Sequence, residues 1–403
     1  MNPAKQTEEG SSGEAGAHPG AIVIGGDYQG LGIVRSLGRR GIPVCVIDDE
    51  LSIARYSRYL MHFVSVPDLR NDDAIVRELL ALGQRLNMKG WVLFPTRDEV
   101  VAAIARRRSE LTPWFRVPTP CWDIIQYVWD KRKTWELAQR LNLPIPATWN
   151  PKNAEELAQI NAPFPLAVKP SIKEHFFYTT RAKGWSAGNS QDLRDLFLKA
   201  QQIAGTDEIL IQDQIPGDGT RQFGYCAFFK DRQAVGSMVS RRRRQHPHDF
   251  GRASTFVETV EQPKIEELSK HLLSELNFYG LVEVEYKQDP RNGEFKLLDI
   301  NARTWGYHTL GPVAGVDFVW MLYCDQVGLP VTPARAKPGM SWMRMLTDFP
   351  TAMLDIANGR LSLGAYLHSL WTYDAEAVFN LRDPLPGLME CGLLPYLIVK
   401  RGF

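Results

Sequence analysis

The chain contains no run approaching the roughly 18 consecutive apolar residues of a membrane-spanning helix, so no membrane span is expected. Charge of one sign is also lacking. Lys and Arg total 47 against 46 Asp and Glu, and a net charge of +1 gives no general attraction to nucleic acid or an anionic membrane surface. Cysteines are few and scattered: Cys45, Cys121, Cys226, Cys324 and Cys391 are an odd number without a C-x-x-C pair. That excludes a disulfide framework and reads as reduced thiols in a cytoplasmic protein. The N-terminus has no hydrophobic signal core, and residues 1–20, rich in Gly, Ser, Glu and Ala, read as a disordered leader. What remains is ordinary for a soluble globular protein: 403 residues, 44% hydrophobic and 23% charged, enough for two or three packed domains.

The most informative stretch is Leu281 to Arg303. Two alternating runs flank Asp289-Pro290-Arg291-Asn292-Gly293, a cluster of turn formers, which predicts a β-hairpin. Leu281, Glu283 and Glu285 share one face of the first run; Leu297, Asp299, Asn301 and Arg303 share one face of the second. Pairing the runs brings Glu285, Asp299 and Asn301 onto one surface. Two carboxylates and an amide oxygen suit a hard divalent cation such as Mg²⁺, with Mn²⁺ as an alternative, that shares substrate phosphates. Arg303, one step further, carries a planar fork suited to phosphate or carboxylate oxygens.

Upstream, strands and helices alternate. Ala21–Ile24, Pro43–Ile47, His62–Val66 and Trp91–Phe94 read as strands, with helices over 31–40 and 72–86, so a parallel α/β sheet is expected. The turn Gly25-Gly26-Asp27-Tyr28-Gln29-Gly30-Leu31-Gly32, with Asp48 and Asp49 about 20 residues on, approaches a dinucleotide fingerprint. No choice of first glycine completes G-x-G-x-x-G, and the turn reads instead as close strand–helix packing. Further on, Phe164–Pro170 is a short apolar strand ending on Lys169, whose buried ammonium needs a partner. Arg241-Arg242-Arg243-Arg244 closes another strand. Entering the same cleft, its alternate residues Arg241 and Arg243 would face a carboxylate or γ-phosphate. His246-x-His248 could ligate a metal, although Pro247 between them favours a loop.

The order of the hairpin, with Glu285 in one strand, a Gly turn, then Asp299-Ile300-Asn301-Ala302-Arg303, resembles the closing Glu-x-Asn-x-Arg motif of ATP-grasp enzymes. Asp130-Lys131 opening a helix before Leu143-Pro144-Ile145-Pro146-Ala147-Thr148 is similar to that family's entry, and Gln212-Asp213-Gln214-Ile215-Pro216-Gly217 to its adenine hinge. The resemblance spans roughly residues 21–325. It implies an α/β chain, α+β in its second half: a leader (1–20), a Rossmann-like preATP-grasp domain (21–120), a two-subdomain ATP-grasp domain (121–330) and a C-terminal appendage (331–403). It further implies Lys131 and Lys169 at the nucleotide phosphates, Gln212, Asp213 and Ile215 at adenine, and Asp218 at the ribose. Residues 171–188 become the lid. Family lids are Gly-rich, whereas this one has only Gly184 and Gly188 among Phe176, Phe177, Tyr178 and Trp185, aromatics that suit the second substrate.

The activity implied is an ATP-dependent carboxylate–amine ligase of the D-aspartate ligase-like or carbamoyl-phosphate-synthase-like branch, using Mg-ATP on small-molecule substrates. A homodimer is left open. The alternatives are a nucleotide-binding regulatory protein without turnover, and a nicotinamide-dependent oxidoreductase built on the N-terminal turn.

Overall fold

The computed structural model describes residues 18–246 and 253–396. Residues 1–17 of the expected leader, and His248 of the histidine pair, lie outside them.

The first unit is a parallel sheet in the order β3-β2-β1-β4, from β1 (Ala21–Ile24), β2 (Val44–Asp48), β3 (His62–Ser65) and β4 (Val92–Pro95). Helices α1 (Tyr28–Gly38), α2 (Asp72–Arg85) and α3 (Asp98–Arg106) cover it. The sheet's strands β1, β2 and β4 are buried along their whole length, as their continuous apolar runs require. Helix α1 starts three residues earlier than its periodicity predicts, because the Asp27 carboxylate caps it by accepting from Tyr28 N at 2.7 Å. The glycine turn before it is a packing device. A Cβ on Gly30 would lie 2.2 Å from the Gly25 carbonyl oxygen, and one on Gly26 2.5 Å from Ser52 Oγ.

Short helices α4 (Arg108–Leu111) and α5 (Trp122–Trp129) lead to α6 (Lys131–Arg140). A small antiparallel sheet follows, in the order β5-β8-β6-β7, formed by β5 (Thr148–Trp149), β6 (Leu166–Pro170), β7 (Trp185–Ala187) and β8 (Ile209–Asp213). It packs with α7 (Ala154–Ala158), α8 (Lys173–Thr180) and α9 (Ser190–Ala204). Helix α8 occupies the stretch expected to be an irregular lid. Phe176 explains the difference: it is fully buried, edge-on to Trp185 with ring centroids 4.6 Å apart, which ties one side of the segment into the small core.

The large sheet contains β9 (Gln222–Lys230), β10 (Gln233–His246), β11 (Ala253–Thr259), β12 (Gly280–Gln288), β13 (Phe295–Asn301), β14 (Ala334–Arg335), β15 (Ser341–Met343) and β16 (Ala375–Glu376). Its order is β13-β12-β9-β10-β11-β15-β16, with β14 beside β10. Helix α10 (Pro263–Glu275) packs on one face. The turn between β12 and β13 puts Gly293 at φ +78°, the left-handed geometry the Asn-Gly pair predicts. Residues 305–327 carry two helices, α11 (Leu310–Val313) and α12 (Phe318–Val327). Gly315 at φ +97° separates them before Asp317 caps the second helix.

The C-terminal region is woven into the fold more deeply than a packed appendage. It supplies β14, β15 and β16 to the large sheet, then α13 (Met345–Ala357), α14 (Leu363–Thr372) and α15 (Leu385–Gly392). Trp342 and Trp305 are both fully buried in a core shared with β1, α1 and β9. Burying such a ring is worth roughly 2–3 kcal/mol.

Candidate active site

Antiparallel pairing of β12 and β13 sets Glu285 opposite Asp299 and Glu283 opposite Asn301. The alternation of the two runs therefore produces a two-by-two polar patch in which the expected trio meets a fourth member, Glu283. Asn301 Nδ2 donates to Glu283 Oε2 and to Glu285 Oε1, each at 3.0 Å. Those bonds turn the amide oxygen the other way, where it accepts from Arg303 Nη2 at 3.3 Å.

Two cations neutralise the patch. Lys131, in the first turn of α6, lies 2.6 Å from Asp299, and Arg242 of β10 lies 2.8 Å from Glu285. Burial alone would raise Glu285, but the Arg242 charge, then Lys183, hold it at about 2. Its neighbour Glu283 behaves oppositely: burial, then the Glu285 charge, push it up to about 7. Tyr307 donates to its Oε1 at 2.5 Å. A carboxylate kept ionised beside one that burial pushes toward its neutral form concentrates negative charge at Glu285, with the Asp299 carboxylate opposite it. With the Asn301 amide, these hard oxygens fit Mg²⁺ by donor chemistry.

Lys169, next to last in β6, donates to Gln212 Oε1 at 2.8 Å, while Gln212 Nε2 donates to Thr148 Oγ1 at 3.0 Å. Burial, then the Lys131 charge, lower the Lys169 ammonium to about 8. The two lysines share a small cavity of about 40 Å³, and Lys169 also lines one of about 70 Å³ with Gln212, Asp213, Ile215 and Asp218. Within the second cavity the Asp213 carboxylate is held by Arg291, at 3.1 Å from Nη1. Ile215 offers its carbonyl to Lys287 Nζ at 2.8 Å. Asp218 Oδ1 accepts from Thr220 N at 2.9 Å, ordering the turn.

The arginine run enters the cleft in the opposite phase to the one expected. Arg241 and Arg243 lie on Glu258, at 2.5 and 3.5 Å, and Arg242 faces the hairpin acids. Arg244 forms a buried bidentate pair with Asp348. The run alternates as a regular strand, and pairing that sets Arg241 opposite Glu258 of β11 puts Arg241 and Arg243 on the Glu258 side and leaves Arg242 to the hairpin acids. Of the histidine pair, His246 lines the cleft.

Beyond the patch opens a cavity of about 500 Å³. The first unit forms its opposite wall with Asp27, Arg97 and Asp98, which follow the carboxyl ends of β1 and β4. Asp98 accepts from Arg303 Nε at 2.6 Å and Nη2 at 3.1 Å, and is paired with Lys173 at the start of α8. Burial would raise Asp98, but the Arg303 charge, then Lys173, hold it well below the usual carboxylate range. No motif singled out Asp98. The signal available was positional, since ligands gather at the carboxyl ends of parallel strands. Phe177 and Tyr178 of α8 also line this cavity, whereas Phe176 belongs to the core. Asp48, Asp49 and Glu50, the three acids that cluster most tightly among the described residues, already share one cation, Arg97.

No family model matches the chain. It is 25% identical over 302 residues to the D-aspartate ligase of Enterococcus faecium (strain Aus0004), a match covering 70% of each protein. Among solved structures it is similar to the L-amino acid ligase from Bacillus licheniformis, with a TM-score of 0.61 at 13% identity over 81% of this chain and 79% of that one. It is also similar to the N5-carboxyaminoimidazole synthetase from Staphylococcus aureus, with a TM-score of 0.64 at 14% identity over 85% and 87% of the two chains. The shared architecture, the relative matched along most of its length and the order of residues from Lys131 to Arg303 agree: the chain has the fold of these ligases and is similar in sequence to one of them.

Proposed function

We propose that this protein is an ATP-dependent carboxylate–amine ligase that forms an amide through an acyl phosphate. The observation that carries the reading is the meeting of Glu285, Asp299, Asn301, Lys131 and Arg242 on one patch at the rim of the large cavity. In it, Lys131 and Lys169 hold the nucleotide phosphates, while Gln212, Asp213, Ile215 and Asp218 surround the base and ribose. Glu285 and Asp299 would hold Mg²⁺, joined by the Asn301 oxygen once its amide turns over from Arg303, and the ion would supply charge neutralisation at the transferring phosphoryl oxygens. Arg303, fixed by Asp98, and Arg242 stabilise the negative charge that develops on those oxygens. The substrate carboxylate attacks the γ-phosphorus, ADP leaves, and the amine then displaces phosphate from the acyl carbon. Helix α8 closes one side of the cavity and keeps water from the intermediate.

The reading keeps residues 21–120 as the preATP-grasp unit and 121–330 as the ATP-grasp unit. The free cysteines suit the cytoplasm. Assembly as a homodimer belongs to the same proposal. The names D-aspartate ligase and L-amino acid ligase make amino acids the first substrates to try. No described helix is long and apolar enough to cross a membrane.

Hydroxylamine provides the test. With the carboxylate substrate present and the amine withheld, it captures an acyl phosphate as a hydroxamate alongside ADP. Carboxylate-dependent ADP release that never yields hydroxamate overturns the mechanism.

A further inference from the structure

Arg344 follows β15 and is 1% exposed. Its Nη2 donates to Glu390 Oε1 at 2.5 Å, but Nε and Nη1 have no hydrogen-bond acceptor among the described residues. A purely structural pair would be closed, as Arg244 and Asp348 are, with two nitrogens on two oxygens at 2.8 and 2.7 Å. In the Arg344–Glu390 pair, Glu390 Oε2 is also unsatisfied, so the contact is a single tether. A buried guanidinium with two unmet nitrogens is costly unless another acceptor arrives.

The side chain lines the 500 Å³ cavity, on a wall shared with Asp27, Tyr28 and Thr347. Tyr28 covers the guanidinium face, with its ring centroid 4.0 Å from Cζ. The volume suits a small organic substrate. Phosphate chemistry is already provided for by Lys131, Lys169 and the hairpin acids. The acceptor that suits the remaining fork of Arg344 is a carboxylate.

We propose that Arg344 anchors a carboxylate that does not react: the amine substrate is an amino acid, held by its own carboxylate at Arg344 while its amino group reaches toward the hairpin patch. The inference rests on the ligase reading and adds the substrate class. It also gives the C-terminal region a part in specificity.

The test titrates the intact protein, with Mg²⁺ and a non-hydrolysable ATP analogue, against a panel of L- and D-amino acids and their amides. The best amino acid binds about 10- to 100-fold more tightly than its amide. Arg344→Lys shrinks that gap to within about threefold and leaves the affinity for the ATP analogue unchanged. A gap that persists in Arg344→Lys, or a panel in which no acid outbinds its amide, overturns the proposal. Should Arg344→Lys fail to fold, Glu390→Gln decides. Removing the competing charge tightens acid binding several-fold without affecting the amide, and unchanged acid binding counts against the anchor. Binding is read apart from turnover, so a preserved acid preference without amide formation removes the ligase reading and leaves Arg344 assigned. Amide formation with no dependence on Arg344 does the reverse.

Discussion

Asp98, the first residue of α3, grips Arg303 by two nitrogens, at 2.6 and 3.1 Å, across 205 positions of sequence. The first unit thereby orients Arg303, just past the end of the hairpin. Asp98→Asn keeps the shape but loses the charge that holds Arg303 and Lys173. We expect kcat to fall about 100-fold, as misplacement of a catalytic group by an ångström does. The Asp98 carboxyl is depressed on folding, so its stabilising contribution is present above the unfolded value and is lost as pH falls through the lower folded value. Chemical denaturation below pH 4 should therefore weaken wild type more steeply than Asp98→Asn.

Asp299→Asn removes one of the carboxylates proposed to hold the metal and strands Lys131, its partner at 2.6 Å. Turnover should drop on the order of 100-fold or more, and the Mg²⁺ concentration for half-maximal rate should rise. Initial-rate titration with Mg²⁺ checks both, and an unchanged Mg²⁺ profile contradicts the assignment.

Lys169→Met should weaken ATP about 10- to 100-fold while leaving adenosine nearly unaffected, because only the phosphates lose a charged partner. It should also stabilise the ligand-free protein at pH 7. Burial depresses the folded pKa to about 8, so a neutral amine is favoured above the unfolded value, and that advantage is lost as pH falls through about 8. Removing the cation should then recover about 1–2 kcal/mol at neutral pH. Denaturant melts at pH 7 and pH 10 measure the difference, which should narrow at the higher pH.

The phase of the arginine run is tested by an alanine scan. Arg242→Ala uncovers Glu285 and should reduce kcat/KM by about 100-fold or more. Arg241→Ala and Arg243→Ala, which lose only a half-exposed pairing with Glu258, should stay within about threefold of wild type.

The sequence by itself determined the parallel sheet of the first unit, the hairpin and the grouping of Glu285, Asp299 and Asn301. These follow from periodicity and turn chemistry, which act over a few residues and are written locally. Tertiary structure alone decided which arginines face the cleft, because alternation permits either phase and the pairing of Arg241 with Glu258 on β11 selects one. It also decided that Phe176 is core rather than substrate wall, that Asp98 clamps Arg303, and that Arg344 reaches the cavity. Each of these depends on surfaces far apart in sequence whose docking is set by shared burial, and no local pattern encodes which distant charge will meet which.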